Sequence, residues 1–201
     1  TIQLLAKAGY TIKIKDRNYL PEIDDSEIKC FLLKPQEIPK YVEQGILDFG
    51  ITGLDWIKET KSDIVEISEL LYGKTMFGKV KLVIAVPDDS EIKNVKDLQG
   101  KKIATQFPNI SNDFLKQRNV QAEIEFSYGA TEIKTPSLVD AIIDLSETGS
   151  SLKAHNLRVL ETILESTTKL IANKKTLENK QAKEKITNIG ILLTGALKAQ
   201  K

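Results

Sequence analysis

The chain has 201 residues, 41% hydrophobic and 28% charged, with 29 Lys and Arg against 28 Asp and Glu and a net charge of +1. That composition fits a soluble globular protein of one large or two small domains and excludes a disordered chain. It also lacks the basic excess of a broad nucleic-acid binder and any apolar run near the roughly 18 residues of a membrane helix.

Thr1 to Ala8 reads as a helix, apolar at Ile2, Leu4, Leu5 and Ala8 and stopped by Gly9. Tyr10 to Lys15 alternates and predicts an exposed strand, and Asp16 to Ser26 a loop. Glu27 to Leu33 predicts a second strand holding Cys30, read as an inert buried thiol. A lone cysteine excludes an internal disulfide and fits a reducing cytoplasm. Lys34-Pro35-Gln36-Glu37 opens a helix with Ile38, Tyr41, Val42 and Ile46 on one face. Leu47 to Thr52 predicts a strand that turns through Gly53 and Asp55 into another helix. Gly50 and Gly53 either let backbone approach a ligand or serve plain strand-to-helix turn chemistry.

Ile64 to Leu71 predicts a strand, and Leu82 to Pro87 is apolar enough for one buried on both faces of a parallel sheet. Val95 to Gly100 reads as a short helix, Lys101 to Thr105 as a strand, and Asn109 or Ser111 as the N-cap of a helix through Phe114. Val120 to Ser127 predicts a strand and Tyr128 to Glu132 a turn. Ile142 to Leu145 is a short buried strand by composition, Thr148 to Ser151 a tight turn, and Leu152 onward a helix. Arg158 to Ser166 fits helix or strand by spacing. Ile186 to Ala199 is helical, with Gly190 and Gly195 as weak spots. Alternating strands and helices make an α/β protein.

Thr148-Gly149-Ser150-Ser151 has the chemistry of an anion site, because a glycine among hydroxyls lets backbone N–H groups converge. Asp144 and Glu147 stand beside it, and bare carboxylates repel phosphate unless they bind sugar hydroxyls or Mg2+. Apolar strand, acids and cradle together suit a phosphorylated ribose; a solvated turn is the plainer alternative. His155 is the single histidine, so there is no Cys/His set for zinc, and it reads as a surface residue.

The segment Asp140-Ala-Ile-Ile-Asp144-Leu-Ser-Glu147-Thr148-Gly149-Ser150-Ser151-Leu152 resembles the phosphoribosyl-pyrophosphate (PRPP) binding element of the ATP phosphoribosyltransferase family. Further stretches match in order: Lys34 to Val42, Asp48 to Trp56, Phe77 to Pro87, Ile103 to Asn109, and Leu160 to Thr167. The resemblance implies an α/β, two-lobed, periplasmic-binding-protein-like (type II) architecture with mixed sheets. Lobe I would hold residues 1–82 plus 173–201, and lobe II residues 83–172 with the PRPP loop. It also implies strands at Arg158 to Ser166 and Thr168 to Ala172.

The reaction implied joins N1 of the adenine of ATP to C1 of the ribose of PRPP and releases pyrophosphate, the first step of histidine biosynthesis. PRPP binding is implied for Asp140, Asp144, Glu147, Thr148, Gly149, Ser150, Ser151 and Leu152, with Asp144 and Glu147 nearest the chemistry and no direct protein ligand to Mg2+. Lys34, Gly53, Asp55, Lys81 and Glu132 match nucleotide or cleft positions, the two lysines standing where the family has arginine. Family members open with a strand and a basic Pro-Lys-Gly-Arg-like loop ahead of the helix that begins here at Thr1. The stretch Leu192 to Ala199 resembles the end of the family's short form, and a long form cut before its last domain would look the same. A short-form catalytic subunit implies a homo-oligomer with a dimer core, a histidyl-tRNA-synthetase-like regulatory subunit, a cytoplasmic location, and no nucleic-acid or membrane partner. A solute-binding module and a transcription-factor effector domain are the rival readings of two such lobes.

Overall fold

The structure is a computed structural model and describes residues 1–14, 19–71 and 79–199. Positions 15–18, within the expected exposed strand and loop, and the Phe77-Gly78 start of one motif lie outside the described residues.

The chain divides into two compact units, Thr1–Tyr72 with Thr167–Lys201, and Gly73–Ser166. In the first, strand β1 (Ile12–Lys13) pairs with β2 (Glu22–Ile23) as a minimal ribbon. Strands β3 (Phe49–Gly53) and β4 (Val65–Leu70) flank β10 (Thr168–Ala172), which runs antiparallel to both. Successive side chains of a strand point to opposite faces, and β10 uses both. Leu170 packs with Leu4 of α1 (Ile2–Lys7), with Ala8 just after it, and with Ile189 and Leu193 of the last helix, Lys180–Lys198. Ile171 packs with Val42 of α2 (Ile38–Glu43) and Ile57 of α3 (Leu54–Thr60). Each fully buried leucine or isoleucine contributes about 1.5–3 kcal/mol relative to exposure.

Glu27 to Leu33 forms no strand. Among the described residues β3 is paired on one side only, to β10, and the stretch lines with β3 a cavity of about 690 Å³. Its strand-forming residues therefore lack a ladder partner, and Phe31 and Leu32 stay 45% and 42% exposed. Cys30 is accordingly half-buried rather than enclosed. Gly190, expected to be a weak spot, is a close-packing position: a Cβ there would stand 2.8 Å from Ser68 Oγ and 3.3 Å from Leu170 Cδ2.

The second unit is built on a five-stranded mixed sheet in the order β7, β6, β8, β5, β9. These are β5 (Val80–Pro87), β6 (Lys102–Thr105), β7 (Glu123–Phe126), β8 (Ala141–Ser146) and β9 (Leu157–Ser166). β6 runs parallel to β7 and β8, while β5 runs antiparallel to β8 and β9. β5 is thus buried on both faces as its composition predicts, but among antiparallel neighbours. The helix α4 (Pro108–Gln117) starts ahead of the expected cap, with Pro108 in its first turn and the Ser111 hydroxyl donating to the Phe107 carbonyl.

The sheets move both unit boundaries earlier than 82/83 and 172/173. β5 is laddered to β8 and β9 from Val80 onward, so residues 80–82 belong to the second unit. Thr168–Ala172 is laddered to β3 and β4, so it belongs to the first.

Candidate active site

β6, β7 and β8 end at the same edge of their sheet, and open α/β sheets bind ligands beyond the carboxyl ends of such strands. There the chain leaves β8 at Ser146, passes Glu147 and Thr148, and turns at Gly149 (φ +75°) into the short helix α5 (Ser150–Ala154). That positive φ favours glycine, and a Cβ would meet nothing within 4 Å. The turn is open, and Thr148, Ser150 and Ser151 are exposed. Their hydroxyls are already ordered: Thr148 Oγ1 lies 2.6 Å from Ser150 Oγ, and the Ser150 amide donates to Thr148 Oγ1 at 3.4 Å. Leu152 is the anchor, buried at 4% exposure among Val83, Ala85, Ala104, Val139, Ile142 and Leu157. His155 is exposed, its Nδ1 2.9 Å from the Ser151 carbonyl.

One group from the segment after β7 closes on this turn. A 3-10 turn, Thr131–Lys134, carries Glu132, whose carboxylate accepts from the Ser151 hydroxyl. That bond holds the Glu132 carboxyl below its usual range. Thr131, fully buried, shares its hydroxyl with Ser127 at 3.0 Å. Burial raises the Asp144 carboxyl above its ordinary range, and the Glu132 charge adds to the rise. The Leu145 amide, 2.7 Å from Asp144 Oδ1, and the Thr131 hydroxyl oppose it. The sequence reading picked out Asp144 and Glu132 but not Thr131; a hydroxyl next to a matched acid was the available signal.

Lys81 also belongs here. Register sets Lys81 opposite Ser146 and Val83 opposite Asp144, and residues directly opposite share a face. Lys81, exposed, therefore rises from the same face as Asp144, two residue pairs nearer the turn. Asp140 does not belong. It precedes β8, and at about 3.3 Å per residue it lies some 20 Å from Ser146. Its carboxylate instead accepts from the Lys102 amide at 2.9 Å and pairs with Lys101 at 3.3 Å, which keeps its pKa low. Asp140 fastens β8 to β6.

The remaining matched residues lie in the first unit. Thr52 Oγ1 donates to the Pro35 carbonyl at 2.7 Å, bringing the Lys34-Pro35 turn to the end of β3 beside Gly53. Lys34 is exposed and Asp55 is 3% exposed. Gly53 is needed for space: a Cβ would sit 1.9 Å from Asp55 Oδ1. At Gly50 it would sit 2.4 Å from Ile38 Cγ2. Both glycines admit side chains of the chain itself, so close packing explains them. Gly53→Ala is expected to displace the Asp55 carboxylate and cost about 1–3 kcal/mol. Urea denaturation reads this as a lower midpoint; an unchanged midpoint would show that another conformer of Asp55 fits equally well.

These positions can be set beside known proteins. A family model described as ATP phosphoribosyltransferase matches residues 34–194. The ATP phosphoribosyltransferase of Pelotomaculum thermopropionicum is 51% identical over 200 residues, covering 100% of this chain and 69% of that protein. That of Thermodesulfovibrio yellowstonii is 54% identical over 200 residues, covering 100% and 68%. The chain belongs to the ATP phosphoribosyltransferase family. The ATP phosphoribosyl transferase (HisG:HisZ) complex from Thermotoga maritima superposes with a TM-score of 0.81 at 25% identity, over 98% of this chain and 92% of that one. The substrate binding protein of an amino acid ABC transporter superposes at 0.60 with 17% identity, over 95% and 88%, a likeness of fold alone. The two units thus have the periplasmic-binding-protein-like type II fold, and membership of an ATP phosphoribosyltransferase family decides between the enzyme and its solute-binding and transcriptional rivals. The family is that of the first enzyme of histidine biosynthesis, a pentosyltransferase.

Proposed function

We propose that this chain binds PRPP at the turn after β8 and transfers its phosphoribosyl group to ATP. The observation that carries the reading is the open, Gly149-hinged hydroxyl turn fastened through Ser151 to Glu132, at the same end of β8 as the Asp144 carboxylate. The 5-phosphate sits on the Thr148, Gly149, Ser150 and Ser151 backbone and hydroxyls, with Leu152 fixing their position. Asp144 accepts from the ribose hydroxyls, and Glu132 and Glu147 stand beside it. N1 of adenine then bonds to ribose C1 as the C1–oxygen bond breaks, and pyrophosphate leaves with the electron pair. Positive charge growing on the ribose is stabilised by the carboxylates, and negative charge on pyrophosphate by Lys81. Lys34, exposed in the first unit, is read as a contact for the nucleotide, and Gly53 and Asp55 as the packed turn beside it.

Mg2+ fits the donor set of Asp144, on β8, and Glu147, just after it, because hard carboxylate oxygens suit a divalent cation. Asp144 and Glu147 would hold it through water, and it would neutralise the departing pyrophosphate. The chain is further read as a cytoplasmic homo-oligomer with a dimer core, working with a histidyl-tRNA-synthetase-like regulatory subunit. The likeness to a two-component complex supports the partner, and among the described residues no helix is long and apolar enough to cross a membrane.

Calorimetric titration with Mg2+ and PRPP tests the site. Binding is expected in the parent chain, reduced at least tenfold, about 1.4 kcal/mol, in Ser151→Ala and unaffected by a control change at Asp88, an exposed residue after β5. Equal PRPP affinity in Ser151→Ala and the parent would remove the turn from the site.

A further inference from the structure

Tyr128 is 95% exposed, an unusual setting for a large ring. It is nonetheless held firmly. Its ring meets Phe126 edge to face, centroids 4.8 Å apart and planes at 79°. The preceding Ser127 is pinned by its amide to the Thr105 carbonyl at 2.8 Å and by its hydroxyl to the Gly129 carbonyl at 3.2 Å and Thr131 Oγ1 at 3.0 Å. Gly129 and Ala130 both take positive φ, +135° and +48°, so the turn is tight. A rigid turn thus presents an aromatic face to solvent at the carboxyl edge of the sheet. The other end of that turn is Glu132, bonded to Ser151 in the hydroxyl turn. Four residues span at most about 14 Å even when extended, and this segment is folded back on itself.

Transfer to adenine N1 requires the base to lie one sugar's length from whatever grips the 5-phosphate. A purine is planar and stacks on aromatic rings regardless of its hydrogen-bonding edge, leaving N1 free to react. We propose that Tyr128 is the stacking platform for the adenine of ATP, with Phe126 bracing its ring. The proposal rests on the PRPP reading above.

The test is calorimetric titration of the chain with ATP, inorganic triphosphate and Mg2+ with PRPP, for the parent, Tyr128→Ala and Tyr128→Trp. Expected is a loss of ATP affinity of about tenfold to a hundredfold in Tyr128→Ala, the range that base stacking carries. Affinity should return in Tyr128→Trp, while triphosphate and PRPP binding stay unchanged in both. Equal ATP affinity in Tyr128→Ala overturns the proposal, as does an equal loss for triphosphate, which would mean a distorted turn. Loss of self-association with ATP affinity intact would make Tyr128 an interface residue and overturn it too. Failure of PRPP to bind the parent would instead remove the site proposed above, leaving the ATP titration to judge stacking by itself.

Discussion

Asp144→Asn is expected to lower kcat/KM at least a hundredfold while leaving the protein as stable as the parent, or more so, at neutral pH. A hundredfold is about 2.7 kcal/mol, within reach of losing a charged acceptor for the ribose hydroxyls together with the negative charge that faces the developing cation. The stability half follows from the raised pKa. Burial is the main cause, and the Glu132 charge adds to it. A carboxyl with a raised pKa in the fold holds its proton better there than in the unfolded chain, so its ionisation opposes folding. That penalty is absent below the ordinary value of 3.8, grows as pH rises through the folded pKa, and is complete above it. Asparagine carries no such penalty and keeps an oxygen for the Leu145 amide and the Thr131 hydroxyl. Thermal midpoints of parent and variant should therefore separate at pH 7 in favour of the variant and converge toward pH 4. A variant that melts lower than the parent at pH 7 would mean that Asp144 serves the fold and not the substrate.

The strands and helices that bury a regular pattern were legible from residue types alone. Leu82 to Val86 and Ala141 to Ile143 have no polar side chain to place in water, and both are central strands of the larger sheet. What periodicity missed depended on partners distant in sequence. Glu27 to Leu33 has the composition of a strand, but composition cannot supply the neighbouring ladder, and among the described residues none is paired to it. The parallel setting expected for β5 failed for the same reason: burial is written in the side chains, strand direction only in the topology. Arg158 to Ser166 was ambiguous by spacing, and pairing with β5 decides it as strand. In the site, residue chemistry identified Asp144 and the hydroxyl turn because acids beside a glycine-hinged cradle are informative wherever they occur. Asp140 shared the motif but sits at the far end of β8, a distinction that depends on strand length and on the Lys101 and Lys102 partners. Thr131 passed unnoticed because a buried threonine looks like any other until its neighbours are known.

Leu152→Ala is expected to be the most destabilising single truncation around the hydroxyl turn, at about 2–5 kcal/mol. The side chain is 4% exposed and is the contribution of α5 to the cluster formed by Val83, Ala85, Ala104, Val139, Ile142 and Leu157. Removing it deletes transfer free energy and leaves a void that β-strand neighbours on a five-stranded sheet cannot easily fill. The functional consequence is separable from the loss of stability. α5 spans only Ser150–Ala154, too short to be stable by itself, so its orientation depends on that one buried contact. Below the melting transition, Leu152→Ala should retain the far-ultraviolet spectrum of the parent yet bind PRPP more weakly, because Thr148, Ser150 and Ser151 lose their common support. Leu192→Ala on the last helix is the control: that leucine is 46% exposed, so its removal should change stability by no more than about 0.5 kcal/mol and leave PRPP affinity alone. Should Leu152→Ala lose stability but bind PRPP as the parent does, the turn holds its shape through Gly149 and the Ser151–Glu132 bond, and the buried leucine would serve packing and nothing more.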